Sequence, residues 1–282
     1  MKILYTVFSG TGNTLRAANR SAEEIKTLGH DADVVRLTSG TTAPTAQDYD
    51  VIVICYPIHG FNTPTPVLKF LKDLPHGGDK QAYLLRTSGE PSKLNDASGI
   101  TPKRILKKHG YEVLGEFTYV MPYNIIFRHS DGMAVRMWRA AEKLIASDAK
   151  TIAAKETALR KVNVLRRMAS FACRIEHTAM PLIGRGFKAT DECIGCGKCV
   201  QVCSQKNIIL NNAKKPIFGK NCVGCMGCAF NCPKDAIRTS ILNGWRVNGE
   251  YSFEGEPASD DEICKYLHNM YVRYFHNAEN SI

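Results

Sequence analysis

What the chain lacks narrows its function before any motif is read. Across 282 residues no apolar run approaches the roughly 18 to 20 residues that a membrane-spanning helix needs, and the longest strand-like run is Val51 to Cys55. No transmembrane segment is therefore expected. The opening MKILYTVFSGTGNT runs into a Gly- and Thr-rich loop where a secretion signal would carry its cleavage site, so a cytoplasmic protein is expected. There is no GK[ST] phosphate loop, no nucleophile elbow, no Ser/His/Asp set and no readable acid/base dyad. Gly184, Gly186 and Ala189 match a GxGxxA pattern, but no strand precedes it and cysteines, not a helix, follow. With 44% apolar and 23% charged residues, a disordered or collagen-like chain is excluded.

What is abundant is cysteine, 11 in all, and Cys193 to Cys232 contains eight of them. The remaining Cys55, Cys173 and Cys264 are scattered and read as small buried hydrophobes. The eight form two runs, Cys193, Cys196, Cys199, Cys203 and Cys222, Cys225, Cys228, Cys232, each spaced CxxCxxCxxxC and related by an offset of 29. This is an internal repeat of one ligand-bearing loop. A zinc site needs four ligands and no third cysteine two residues on, whereas three closely spaced thiolates suit three corners of an iron–sulfur cube. In the two-cluster arrangement the fourth cysteine of each run crosses over. That groups Cys193, Cys196 and Cys199 with Cys232, and Cys222, Cys225 and Cys228 with Cys203. Gly195, Gly197, Gly224 and Gly227 suit tight loops whose amides approach sulfur.

These runs resemble the bacterial two-cluster ferredoxins over roughly residues 188 to 240, which implies a small α+β 2[4Fe-4S] ferredoxin domain. Cys232 precedes Pro233 as in that family, but Cys203 precedes Ser204.

Residues 1 to about 125 alternate β-branched runs with helical stretches, the signature of a parallel sheet with crossover helices. Strands are expected at 3–8, 33–37, 51–55, 82–87 and 116–121, and helices at about 14–28, 66–74 and 101–109. The first strand feeds Ser9, Gly10, Thr11, Gly12, Asn13 and Thr14, a turn of hydroxyls and bare amides at a helix amino terminus, where a phosphate is stabilised. No Lys or Arg lies in that loop. The loop resembles the phosphate loop of flavodoxins, over residues 1 to about 145. The resemblance implies a doubly wound, parallel, five-stranded α/β sheet, with FMN phosphate contacts from Ser9, Thr11, Gly12, Asn13 and Thr14. It also places isoalloxazine walls at Pro57, His59, Gly60, Phe61 and Asn62 after the third strand and at Thr87, Ser88 and Gly89 after the fourth. His59 or Phe61 is placed to stack on the ring, and the Gly60 carbonyl to face flavin N5. Tyr123, after the edge strand, is a weaker candidate. Flavodoxins are typically acidic, whereas residues 1–130 hold 15 Lys and Arg against 12 Asp and Glu.

Together the motifs resemble the flavodoxin–ferredoxin fusion proteins of anaerobic bacteria. The expected function is transfer of low-potential electrons between FMN, two [4Fe-4S] clusters and a redox partner. The alternative is an FMN-dependent reductase of a small molecule, with the clusters supplying electrons. Residues 131–190 carry 12 Lys and Arg against 5 Asp and Glu, and 133–180 contain no Pro or Gly. One or two long basic helices are therefore expected, on which Arg136, Arg139, Lys143, Lys150, Arg160, Lys161, Arg166 and Arg167 dock a redox partner protein, or an acidic partner or membrane in a signalling reading. A basic stripe without a recognition motif does not indicate nucleic acid. From Pro181 the sequence turns loop-like, giving expected domains at 1–180, 181–244 and a tail at 245–282 with a helix over 260–275.

Overall fold

A computed structural model describes residues 1–41 and 48–280. Strands β1 (Lys2–Val7), β2 (Asp31–Arg36), β3 (Val51–Pro57), β4 (Lys80–Ser88) and β5 (Tyr111–Val120) form one sheet in the order β2-β1-β3-β4-β5, every neighbouring pair parallel. This is the flavodoxin-like order, in which connections from β1 and β3 leave in opposite directions and open a crevice at their carboxyl ends. The period-2 alternation of a strand buried on both faces is visible in the packing. Ile3, Tyr5 and Val7 face one core with Val51, Val53 and Cys55, whereas Leu4, Ile52, Ile54 and Tyr56 face the other. Helices α1 (Asn13–Thr27) and α4 (Asp131–Ala153) cover the first face through Ala18, Ile25, Ala141 and Ile145. Helices α2 (Thr65–Lys72) and α3 (Ile100–Lys108) cover the second through Val67, Leu71 and Leu106.

The basic block departs from one or two long helices. Helix α4 starts where the Ser130 side chain accepts from Met133 N and stops at Ala153. Lys155 then takes φ 54° and Ala158 bridges the outer edge of β5, exchanging hydrogen bonds with Leu114 and Glu116. Satisfying the edge strand's backbone groups competes with continuing the helix here. Helices α5 (Val164–Cys173) and α6 (Ile175–Arg185) follow, separated only by Arg174, itself in the right-handed helical region. The loop expected from Pro181 is instead the last turn and a half of α6. Inside the helix this proline forgoes one hydrogen bond and crowds the His177 carbonyl, while Met180 and Gly184 on the inner face are buried.

The second unit is visibly duplicated. Strands β6 (Lys188–Ala189), β7 (Ile208–Leu210), β8 (Pro216–Phe218) and β9 (Ile237–Arg238) pair as β6 with β9 and β7 with β8, both antiparallel. Helices α7 (Lys198–Val202) and α8 (Gly227–Phe230) occupy equivalent places. Shifting β6, α7 and β7 by 29 residues lands them on β8, α8 and β9. The tail then returns to the large sheet. Its helix α9 (His268–Glu279) begins later than residue 260, after Leu267 at φ 53°. Tyr271, Phe275 and Ala278 pack on Val120, Met133 and Met137, so the tail completes the first unit's core.

Candidate functional site

The loops after β1, β3, β4 and β5 converge on a cavity of about 390 Å³ at the carboxyl ends of the strands. Helix α1 starts at Gly12, with φ 100°, without a side-chain cap and with no acidic residue in its first turn. Its leading N–H groups thus have no competing internal anion, as an anion site requires. The turn is fixed from below: Ser9 Oγ accepts from Gly12 N at 3.2 Å, Arg36 donates to Ser9 O at 3.2 Å, and the Thr14 and Thr87 hydroxyls meet at 2.7 Å.

Every predicted flavin-loop residue lines this cavity except Gly12 and Asn62. Gly12 lies on the outer side of the turn, its N–H held by Ser9. The buried Asn62 side chain points to α5 instead, donating to Gly60 O at 2.7 Å and Ser170 O at 2.8 Å while accepting from the Ser170 hydroxyl at 2.8 Å. An amide offering both donor and acceptor to the buried Ser170 is satisfied there and is not free for a ligand.

Two glycines are dictated by close approach. Gly60, at φ 49°, carries the loop under α6, where a Cβ would collide with the Glu176 carboxylate. At Gly89 a Cβ would overlap the Tyr123 ring. Tyr123, the weaker expectation, is a cavity wall held by its donation to Glu90 Oε2 at 2.7 Å and by a parallel stack on His129 at 5.3 Å. Burial, reinforced by the nearby His177, pushes His59 down to about 4, and it is neutral at pH 7. Burial also raises the carboxyl of Glu176, which lines the cavity beside Met180.

The remaining wall comes from the second unit, through Gly224, Cys225, Leu242 and Trp245. Backbone contact makes this seat tight. A Cβ on Gly10 would stand 2.6 Å from Cys225 O, one on Gly227 would stand 2.6 Å from Gly10 O, and one on Gly184 would collide with Cys222. Asn124 adds a hydrogen bond to Cys225 O at 3.3 Å. None of these partners was legible beforehand, because they lie a hundred or more residues from the β1 loop.

The eight clustered cysteines form two cages. Cys193, Cys196, Cys199 and the distant Cys232 line one small cavity, with Lys198, Lys214 and Lys234 around it. Cys203 stands close enough to Cys222, Cys225 and Cys228 to act electrostatically on each thiol. Burial raises those three, Cys225 to about 11, while backbone N–H groups of the loop pull the other way. Iron bound at the thiols reverses this by deprotonating them outright. Among the described residues no three Cys, His, Asp or Glu converge on a point for a single ion. A cage holding separate corners of an iron–sulfur cube has no need of such a point.

Residues 192–237 match the family model described as a 4Fe-4S dicluster domain. A flavodoxin from Streptococcus pneumonia TIGR4 aligns at 20% identity over 55% of this chain and 99% of its own, with a TM-score of 0.40. The Megasphaera elsdenii flavodoxin aligns at 25% identity over 41% and 84%, with a TM-score of 0.34. The rubredoxin oxygen:oxidoreductase of Desulfovibrio gigas aligns at 14% over 55% and 35%, with a TM-score of 0.37. No curated protein matches. The sheet order and the dicluster match decide the architecture. This chain is a flavodoxin-like domain fused to a 4Fe-4S dicluster domain.

In this fusion half of the expected basic docking face is engaged internally. Arg136 binds Ala258 O and Asp260, Arg139 binds Gly255 O, Arg160 binds Glu116 O, and Arg166 binds Asp96. Lys143, Lys150, Lys161 and Arg167 remain exposed. No helix among the described residues is long and apolar enough to cross a membrane.

Proposed function

We propose that the cavity holds FMN, that the two cages hold [4Fe-4S] clusters, and that the chain passes low-potential electrons between a redox partner protein and the flavin. One observation carries this reading: Gly224 and Cys225 of the second thiol run line the same cavity as Thr11, His59 and Gly89. FMN takes up one or two electrons where each cluster takes one, so the three centres together convert between paired and single electrons. The amino end of α1 and the turn from Ser9 to Thr14 hold the phosphate with neutral donors. Asn13 is steadied by donating its side chain to Pro122 O at 2.8 Å, which leaves its backbone N–H for the anion. His59, Phe61 and Tyr123 wall the ring. Glu176, whose carboxyl burial raises, stands beside Gly60 at the cavity.

The cages are ordered in space. Cys196 of the first is exposed, whereas the second is pressed between the β1 loop and α6. A partner therefore meets the Cys193 cage, and the lysines around it favour an acidic one. Anaerobic titration of the reconstituted protein, following flavin and cluster absorption together, tests this. Reduction of all centres by a low-potential reductant, but not by NADH or NADPH, is expected. Rapid reduction by a nicotinamide, or turnover of a small acceptor at the flavin, would select the reductase reading. A reconstituted protein without flavin absorption would remove FMN.

A further inference from the structure

Helices α5 and α6, joined through the helical Arg174, form one nearly continuous rod over residues 164–185, about 30 Å long at 1.5 Å per residue. Its inner face holds Ser170, Met180 and Gly184 against the body of the protein. Its outer face is apolar. Val164, Met168, Phe171, Ile175 and Leu182 fall within about 60° of one another around the axis at 100° per residue, and Leu165 borders them. These six side chains are each 63–72% exposed. Arg167, Arg174 and Arg185 run along one edge of this ridge, all exposed. From residue 157 to 190 the sole acidic residue is Glu176, and it faces the cavity. At the carboxyl end of the rod, the turn 240–245 meets Gly186 through Ser240 and adds the exposed Ile241 and Trp245.

We propose that α5–α6 is an interfacial helix by which the protein lies on an anionic phospholipid bilayer. An apolar ridge with arginines on its flank and no exposed acid is the pattern that settles at the headgroup boundary. The ridge is convex, with side chains standing proud along six turns. A fluid bilayer accepts that shape without a matching groove, which a protein partner would have to supply. The rod cannot span, since Arg166, Arg167, Arg174, Glu176 and Arg185 distribute charge along its whole length, so it lies on the surface. Membrane contact does not depend on what fills the cavity.

Flotation of the intact, cluster-loaded protein with phosphatidylserine/phosphatidylcholine vesicles tests the proposal, with pure phosphatidylcholine vesicles as the comparison. Binding to the anionic vesicles is expected, weakened by salt. The triple variant Leu165→Gln, Phe171→Gln, Ile175→Gln should bind at least 100-fold more weakly, and Arg167→Gln with Arg185→Gln about 25-fold more weakly, roughly fivefold per arginine. All five positions are exposed, and unchanged cluster absorption confirms folding. Should the triple variant fail to fold, Phe171→Trp provides the readout, its emission shifting to the blue only when anionic vesicles are added. No flotation of the unmodified protein, equal binding to neutral vesicles, or binding undiminished in the triple variant would each overturn the proposal. So would concentration-dependent dimerisation that the triple variant abolishes without any vesicle binding, since the ridge would then face a second copy of this chain.

Discussion

The two thiol loops share one backbone and live in two environments. Gly195 and Gly224 have φ 67° and 69°, Gly197 and Met226 have 75° and 58°, and Lys206 and Asp235 have 49° and 46°. Asn207 N donates to Cys203 Sγ at 3.3 Å, and Ala236 N donates to Cys232 Sγ at 3.2 Å. The spacing dictates this geometry in both copies, even at Met226, where a side chain tolerates a conformation that usually costs 1–2 kcal/mol outside glycine. The surroundings then diverge. Gly195 approaches Lys214 of its own unit, while Gly224 approaches Met180 of α6. Duplicated loops thus come to lie in two surroundings, one within its own unit and one against the cavity.

The widest separation between the copies should come from removing one ligand of each. Cys193→Ser and Cys222→Ser should each lose about half the bound iron, but only Cys222→Ser should alter flavin fluorescence and midpoint potential. An equal effect on flavin would erase the distinction between the cages. Next in size, Gly10→Val forces a side chain into Cys225 and should cost about 3 kcal/mol, the upper end for overpacking, read as a lowered thermal midpoint. Gly244→Ala, whose Cβ meets nothing within 4 Å, should be near neutral in the same assay.

Smaller still is the electrostatic difference. Replacing Lys198, Lys214 and Lys234 by Gln should lower the potential of the Cys193 cage by on the order of 60 mV, a tenfold change for a one-electron couple, and leave the Cys222 cage unmoved in a spectroelectrochemical titration. Least of all, Ser204→Pro copies Pro233 into the first loop. Cys203, at φ −73° and ψ 98°, already lies outside the α region that a following proline disfavours, and Ser204 O keeps its bond from Ser39 N. Its effect on stability should stay under about 1 kcal/mol, and stabilisation is the expected sign.

Much of this was legible locally. The five strands and the crossover helices follow from hydrophobic period, and the phosphate turn from hydroxyls and glycines ahead of α1. The 29-residue repeat marked the two thiol runs, and the two-cluster arrangement supplied the crossed grouping of their fourth cysteines. The misses concern segments whose pattern permits more than one partner. The Pro-free run 133–180 is uniformly helical in composition, yet the open edge of β5 takes Ala158 and breaks it. Asn62 sits in a ring-wall loop, yet Ser170 claims its amide. Arg136, Arg139, Arg160 and Arg166 read as a docking face, yet they bind acceptors on the tail, β5 and the turn after β4.

The sequence by itself determined the parts: a parallel sheet with a phosphate turn, two thiol loops, and a basic amphipathic stretch, each set by interactions within about 30 residues. Only the tertiary structure decided their relations. Which thiol run seats against Gly10, that α6 roofs the cavity through Glu176 and Met180, and that α9 completes the core on α4 all depend on contacts between positions a hundred or more apart, or on close backbone approach. Such contacts leave no periodic trace in the chain, because they are selected by shape and by the exclusion of a single Cβ rather than by hydrophobic pattern.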